Sequence, residues 1–287
     1  NKTFSGAKHW PISKMAEPYT MTEEESSLVE ELRSRVKDMA TLGDDPKGTD
    51  EEIRVTKQQA TLAKLYLASD SVCWRYVMAE RSKARDKRLE FAEDMFRASI
   101  RWKAEVDIDA IMAEWGPLPD EFEPGRPMKE KPLTERAKLG DRMFYSGIVA
   151  KTKTGSLLGA ERIGLADVGA FSDEVFEIIQ RSFIKYCESM WRYHLHRNSF
   201  ERIVVVFDMK DYGMAHMSAR KIIKKLAGIV TGNYPELSHK LFIINAGWGI
   251  RAMFVLVSPF LPERTRRKIE VLGGEFTESI AAHVDGG

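Results

Sequence analysis

The chain has 287 residues, of which 43% are hydrophobic, 10% aromatic and 30% charged, a globular composition that excludes disordered and fibrous classes and makes about two domains at roughly 150 residues each. Its 44 Lys and Arg against 43 Asp and Glu leave a formal charge of +1, which excludes a nucleic-acid binder working through bulk charge. Two cysteines, Cys73 and Cys187, are too few for a disulfide framework and point to a reducing compartment, and no apolar run reaches the roughly 18 residues of a membrane span.

No secretory leader is visible, and a chain opening at Asn1 rather than Met reads as a fragment. The first twenty residues show no periodicity and read as an arm. Thr22 and Glu25 then form a capping-box pattern. Leu28, Val29, Leu32, Val36 and Met39 follow at helical spacing. Gly43, Pro46 and Gly48 close that helix, and Asp50 caps a second one reaching Ala68. A third starts near Asp70, and a fourth runs from about Lys87 to Val106 with Leu89, Phe91, Met95, Phe96 and Trp102 as its apolar positions. Residues 20–115 thus form a helical unit. Pro117, Pro119, Pro124, Pro127 and Pro132 mark 116–132 as a linker.

Residues 133–287 change texture. FYSGIVAKT and SLLGAERIG read as short strands around Lys153-Thr154-Gly155. Asp173 to Arg197 is a long helix. Arg202 to Asp208 is a buried strand, Ser218 to Thr231 a helix, and Lys240 to Asn245 another buried strand. Strand, helix and strand make a parallel βαβ unit. Ala252 to Val257 is a strongly apolar helical turn, and Lys268 to Leu272 a last short strand. The fold class is α/β: a helical N-terminal domain followed by an α/β domain with a mostly parallel sheet.

Familiar catalytic patterns are missing. GLADVG lacks the Lys-Ser/Thr of a phosphate loop, and GWGIRA lacks the third glycine of a dinucleotide site. His194 and His196, two apart on a helix, face different ways and share no metal. Cys73 and Cys187 read as core residues. Asp208 and Asp211 stand at a strand end, where α/β proteins often bind ligands, but with no nucleophile or metal set beside them they read as loop caps.

The mean hydropathy is −0.34, yet 203–207, 241–246 and 252–261 are far more apolar. A helix apolar nearly all round is either buried or covers an apolar cavity. With Pro259 and glycines 247 and 249 at its ends, it suits a gate over a lipid pocket. Arg264, Arg266, Arg267 and Lys268 follow at once, and Arg220, Lys221, Lys224 and Lys225 form a second basic face. Each cation near an anionic membrane is worth about 1 kcal/mol.

IVVVFDMKDYG (203–213), GIVTGNYPELSHKLFIINAGWGIRAMF (228–254) and VSPFLPERTRRKIEVLG (257–273) together resemble the CRAL-TRIO lipid-binding domain. They are most similar to its yeast secretory phosphatidylinositol-transfer branch. DSVCWRYVMAERSKAR and FAEDMFRASIRWKAEVDID are looser matches to the family's N-terminal helices. The resemblance implies a sheet that floors a lipid pocket, closed by the 248–261 gate. Ile203, Val205, Phe207, Phe242, Ile244, Met253, Phe254, Val257 and Phe260 would line it. The phosphatidylinositol headgroup residues carry over to Glu236, to Lys268 and to Arg81 or Arg85. Cations would grip phosphate, and the carboxylate would accept hydroxyls or orient a cation. The family's phosphatidylcholine positions fall on Ile203 and Val205, and its pocket tyrosine near Gly159 or Ala160. None of these side chains can hydrogen-bond that headgroup. The expected protein is a monomeric, cytoplasmic, non-enzymatic phospholipid carrier that touches membranes peripherally and transiently. It needs neither metal nor cofactor and binds no nucleic acid. The alternatives are a carrier of a tocopherol-, retinoid- or sterol-like ligand and a lipid-regulated protein-interaction module.

Overall fold

The structure is a computed structural model that describes residues 19–41, 48–117, 131–153, 155–162, 172–213, 220–261 and 263–283, without the side chains at 220–223, 253, 257, 260 and 264. The N-terminal arm lies outside the described residues, apart from its last residues, 19 and 20. Helix α1 (Glu23–Val36) opens on the expected box. The Glu25 N–H donates to Thr22 Oγ1 at 3.2 Å and the Thr22 N–H to Glu25 Oε2 at 2.9 Å. Such a cap contributes about 1 kcal/mol. Helix α2 (Asp50–Leu67) repeats the device with Thr49 and Glu52, so Thr49, not Asp50, is its cap. Helices α3 (Asp70–Met78) and α4 (Arg85–Glu105) follow. Two short helices were not legible in the pattern: α5 (Ile108–Ala113) and, beyond the linker, α6 (Glu135–Met143). Residues 118–130 of the linker lie outside the described residues. Its ends meet: Trp115 and Pro132 form an antiparallel bridge, and the Gly116 N–H donates to the Lys131 carbonyl at 2.8 Å.

Five strands stand in chain order across one sheet: β1 (Ser146–Lys151), β2 (Leu157–Arg162), β3 (Ile203–Asp208), β4 (Ser238–Ile244) and β5 (Ile269–Val271). β1 and β2 are an antiparallel hairpin, and β2 to β5 are parallel. The crossovers carry α7 (Asp173–His196), α8 (Arg220–Asn233), and then α9 (Trp248–Val257) with α10 (Glu263–Lys268). A sequential parallel order with crossovers of one hand sends these connections to the same face. The core agrees. Ile203 and Val205 pack with Phe183, Tyr186, Cys187 and Met190 of α7, and with Ile229 of α8. The opposite face carries Leu158, Val204, Val206, Phe242 and Ile244, covered by Leu272, Phe276 and Ile280 from the C-terminal segment around α11 (Thr277–Ala281).

The helical unit and the sheet share one hydrophobic cluster. Leu28, Leu32, Phe96 and Ile100 join it from the N-terminal helices, and Trp191, Ile203 and Leu237 from the α/β part. The linker at 116–132 therefore divides the sequence without dividing the core.

Candidate functional site

Parallel strands that neighbour one another place their first residues along one edge. Arg202 immediately precedes β3, Glu236 precedes β4 by two positions, and Lys268 immediately precedes β5. The edge brings all three together. Arg202 Nη1 donates to Glu236 Oε2 at 2.7 Å, and Lys268 Nζ approaches Glu236 Oε1 at 3.5 Å. Lys268 Nζ also donates to the Ser238 carbonyl at 2.8 Å, which ties it to the start of β4. The Glu236 side chain is 3% exposed, against 26% for Arg202 and 22% for Lys268. A buried carboxylate thus holds two half-exposed cations, one on each oxygen.

Glu236 has a φ of 52°, a left-handed conformation that costs a residue with a side chain about 1 kcal/mol or more. Arg75 of α3 holds it there. Its fully buried guanidinium donates from Nη1 to the Glu236 carbonyl at 2.5 Å and from Nη2 to the carbonyls of Ser199 (2.9 Å) and Glu201. One side chain from the helical unit therefore clamps both loops that carry the cluster. Burial, and next the charge of Arg202, push its pKa down to about 9. Burial lowers Arg202 as well. His239 at the same edge is lowered by burial first and then by Arg202, His283, Lys268 and Lys240. The edge is rich in positive charge.

Glu236 and Lys268, two of the residues that the resemblance implies for a headgroup, stand together at this edge. Arg81 and Arg85 take other places. Arg85 sits at the start of α4 and is spent on Ser27 and Glu31 of α1, each at 3.1 Å. Arg81 lies exposed in the turn between α3 and α4. Among the described hydrogen bonds, the one from the N-terminal helices to Glu236 itself comes from Arg75. Sequence reasoning missed both Arg75 and Arg202. The signal for Arg75 was an arginine embedded in the apolar run Val72–Val77. The signal for Arg202 was a cation set directly against a buried strand.

The expected apolar lining needs one correction. Ile203, Val205 and Phe207 look toward the helices, and register puts Leu241 and Ile243 beside Val205 and Phe207. Phe242 and Ile244 fall on the other face with Val204 and Val206, so they do not line one cavity with Ile203 and Val205. Helix α9 does lie over the helical side of the sheet: its Ile250 packs with Met209 and Ala246 against Phe207, Ile243 and Val271. Phe254 is half-buried. The side chains of Met253, Val257 and Phe260 lie outside the described residues.

At the other end of the strands, Asp208 accepts from Asn245 Nδ2 at 2.7 Å and from the Lys210 N–H at 2.9 Å, and it pairs with Arg162 at 3.6 Å. It clamps the loop, the capping role its place in the sequence predicts. His194 is buried, and burial drives its pKa well below the usual value. Both thiols are free and buried. Among the described residues, no helix is long and apolar enough to cross a membrane.

Residues 144–286 match the family model described as the CRAL/TRIO domain. The chain is similar to the Arabidopsis thaliana phosphatidylinositol/phosphatidylcholine transfer proteins SFH7, at 24% identity over 73% of this chain and 37% of the relative, and SFH11, at 28% over 69% and 52%. It is also similar to the SEC14 cytosolic factor of Eremothecium gossypii, at 26% identity over 82% of this chain and 71% of the relative. The chain spans between about a third and a half of the length of the plant relatives. The crystal structure of Sfh5 shares the fold, with a TM-score of 0.56, 14% identity and coverage of 92% of this chain and 85% of that one. Through residues 144–286, with the strand order and the loop motifs described above, the chain belongs to the CRAL/TRIO domain family.

Proposed function

We propose that this protein binds a phospholipid, phosphatidylinositol first, and carries or presents it between membranes. The observation that carries the reading is the convergence of Arg202, Glu236 and Lys268 at the edge where three strands begin, on a sheet whose far strand ends α9 overlies with apolar contacts. Cations suit the phosphate, a carboxylate suits the hydroxyls of the headgroup, and the apolar face suits acyl chains. The transfer activity in the plant relatives' names supports it. The reading is non-enzymatic and needs neither metal nor cofactor. The protein works as a cytoplasmic monomer that meets membranes transiently.

Phosphatidylcholine is not proposed as the exchange partner. Ile203 and Val205 offer it no hydrogen bond. Gly159 lacks a side chain altogether, and an added Cβ would stand 2.0 Å from Tyr186 Oη. The same apolar surroundings favour a second reading, a carrier of an uncharged hydrophobic molecule. Mass spectrometry of lipid that co-purifies with the protein separates the two. For the first reading, Glu236→Ala with Lys268→Ala abolishes phosphatidylinositol transfer between vesicles and leaves the melting temperature nearly unchanged. Wild-type transfer rates in that double variant would remove these residues from the site.

A further inference from the structure

We propose that Arg202 is the second phosphate-binding cation of this site, and that Glu236 is a resident anion which a phosphorylated polyol headgroup displaces from Arg202 and Lys268. The proposal rests on the reading above and adds a residue which that reading does not need. Arg202 and Lys268 occupy the two oxygens of one carboxylate. A phosphate diester offers a similar pair of anionic oxygens, so it can take over both cations without moving either loop. Arginine suits the task better than lysine, because its planar fork can meet two phosphate oxygens at once. About a quarter of the Arg202 side chain is accessible, against almost none of Glu236. A ligand arriving from solvent therefore meets the cations first.

The exchange also gives selectivity. Once released, the Glu236 carboxylate is buried beside the bound head and needs a donor. Inositol hydroxyls supply one, whereas a choline head has no hydroxyl to give. A site that leaves a buried polar group unpaired discriminates strongly against such a ligand. Arg75 keeps the exchange local, since it holds the backbone of Glu236, Ser199 and Glu201 while side chains change partners. Arg85, committed to Glu31 and Ser27, would have to break those contacts to serve.

The test measures transfer of phosphatidylinositol from donor to acceptor vesicles by wild type and by Arg202→Gln, Arg202→Lys, Arg81→Gln and Arg85→Gln. Arg202→Gln is expected to lose about 10- to 100-fold, the worth of one charge-assisted contact, and Arg202→Lys to fall between. A purely structural ion pair is tested by Arg202→Gln with Glu236→Gln, which restores neutrality. Recovery of transfer in that double variant overturns the proposal, and loss in Arg202→Gln alone at an unchanged melting temperature supports it. Wild-type transfer by Arg202→Gln, or a larger loss in Arg81→Gln or Arg85→Gln, also overturns it. A wild-type protein that moves no phosphatidylinositol would instead remove the reading beneath it.

Discussion

Lys103 of α4 and Glu188 of α7 form an ion pair in which both side chains are 0% exposed. The pair crosses from the helical unit into the α/β part. Tyr66 and Tyr234 donate their hydroxyls to Glu188 at 3.3 and 3.1 Å, and Arg192 donates at 2.9 Å. The Lys103 ammonium lies 3.9 Å from the Tyr234 ring centroid. Burial alone would raise the Glu188 carboxyl, but the charges of Lys103 and Arg192 hold it below the usual range. Removing one partner strands a buried charge, which costs about 3–5 kcal/mol. Lys103→Met is therefore expected to lose that much in denaturant unfolding. Adding Glu188→Leu should return part of it, because an apolar replacement of both partners is often near neutral. A Lys103→Met protein as stable as wild type would contradict this.

Glu161 on β2 makes a contrasting case. It is 3% exposed on the helix-facing side of the sheet, opposite Ser146 and beside Phe207. Burial pushes its carboxyl well above the ordinary 4.5. A raised pKa means that the folded chain holds the proton more tightly than the unfolded one. Its contribution is complete below about pH 4.5 and is lost as pH rises through the folded value. Glu161→Gln keeps the shape without the titration. The variant should match wild type near pH 4.5 and exceed it at pH 8. Unfolding curves at the two pH values that showed a constant difference would rule this out.

Helix α9 exposes Trp248 (87%), Val255 (68%) and Leu256 (72%), the most exposed large hydrophobic residues among those described. Tryptophan favours membrane–water interfaces, and the exposed Arg266 and Arg267 of α10 lie close along the chain. Val255→Asp with Leu256→Asp should slow vesicle transfer severalfold at an unchanged melting temperature. The emission lost in Trp248→Phe should be the component that shifts blue when anionic vesicles are added. Its absence would separate α9 from membrane contact.

Much of this was readable from the residues alone because helix periods, caps and β-branched runs are local signals. The boxes at Thr22 and the long helix from Asp173 belong to that kind. Glu236 and Lys268 were found through motifs, whereas Arg202 and Arg75 required the edge on which three strands begin. The lining failed for a physical reason. Alternation tells which residues of one strand share a face, but the match between strands depends on register. Here the irregularity between Ile203 and Val204 sets Val205 against Leu241 and so sends Phe242 to the far side. No pattern within β3 or β4 carries that offset.

The bridge between Trp115 and Pro132 bears on how the chain can be cut. Both banks of the linker are fastened to each other, and the residues before and after it bury their apolar surface in the same cluster. A single cleavage within 118–130 would part the polypeptide but leave two fragments that fit as one body. Either fragment made alone would carry an open half of that core, so the proposed lipid carriage would belong to the pair and would not travel with residues 133–287 alone.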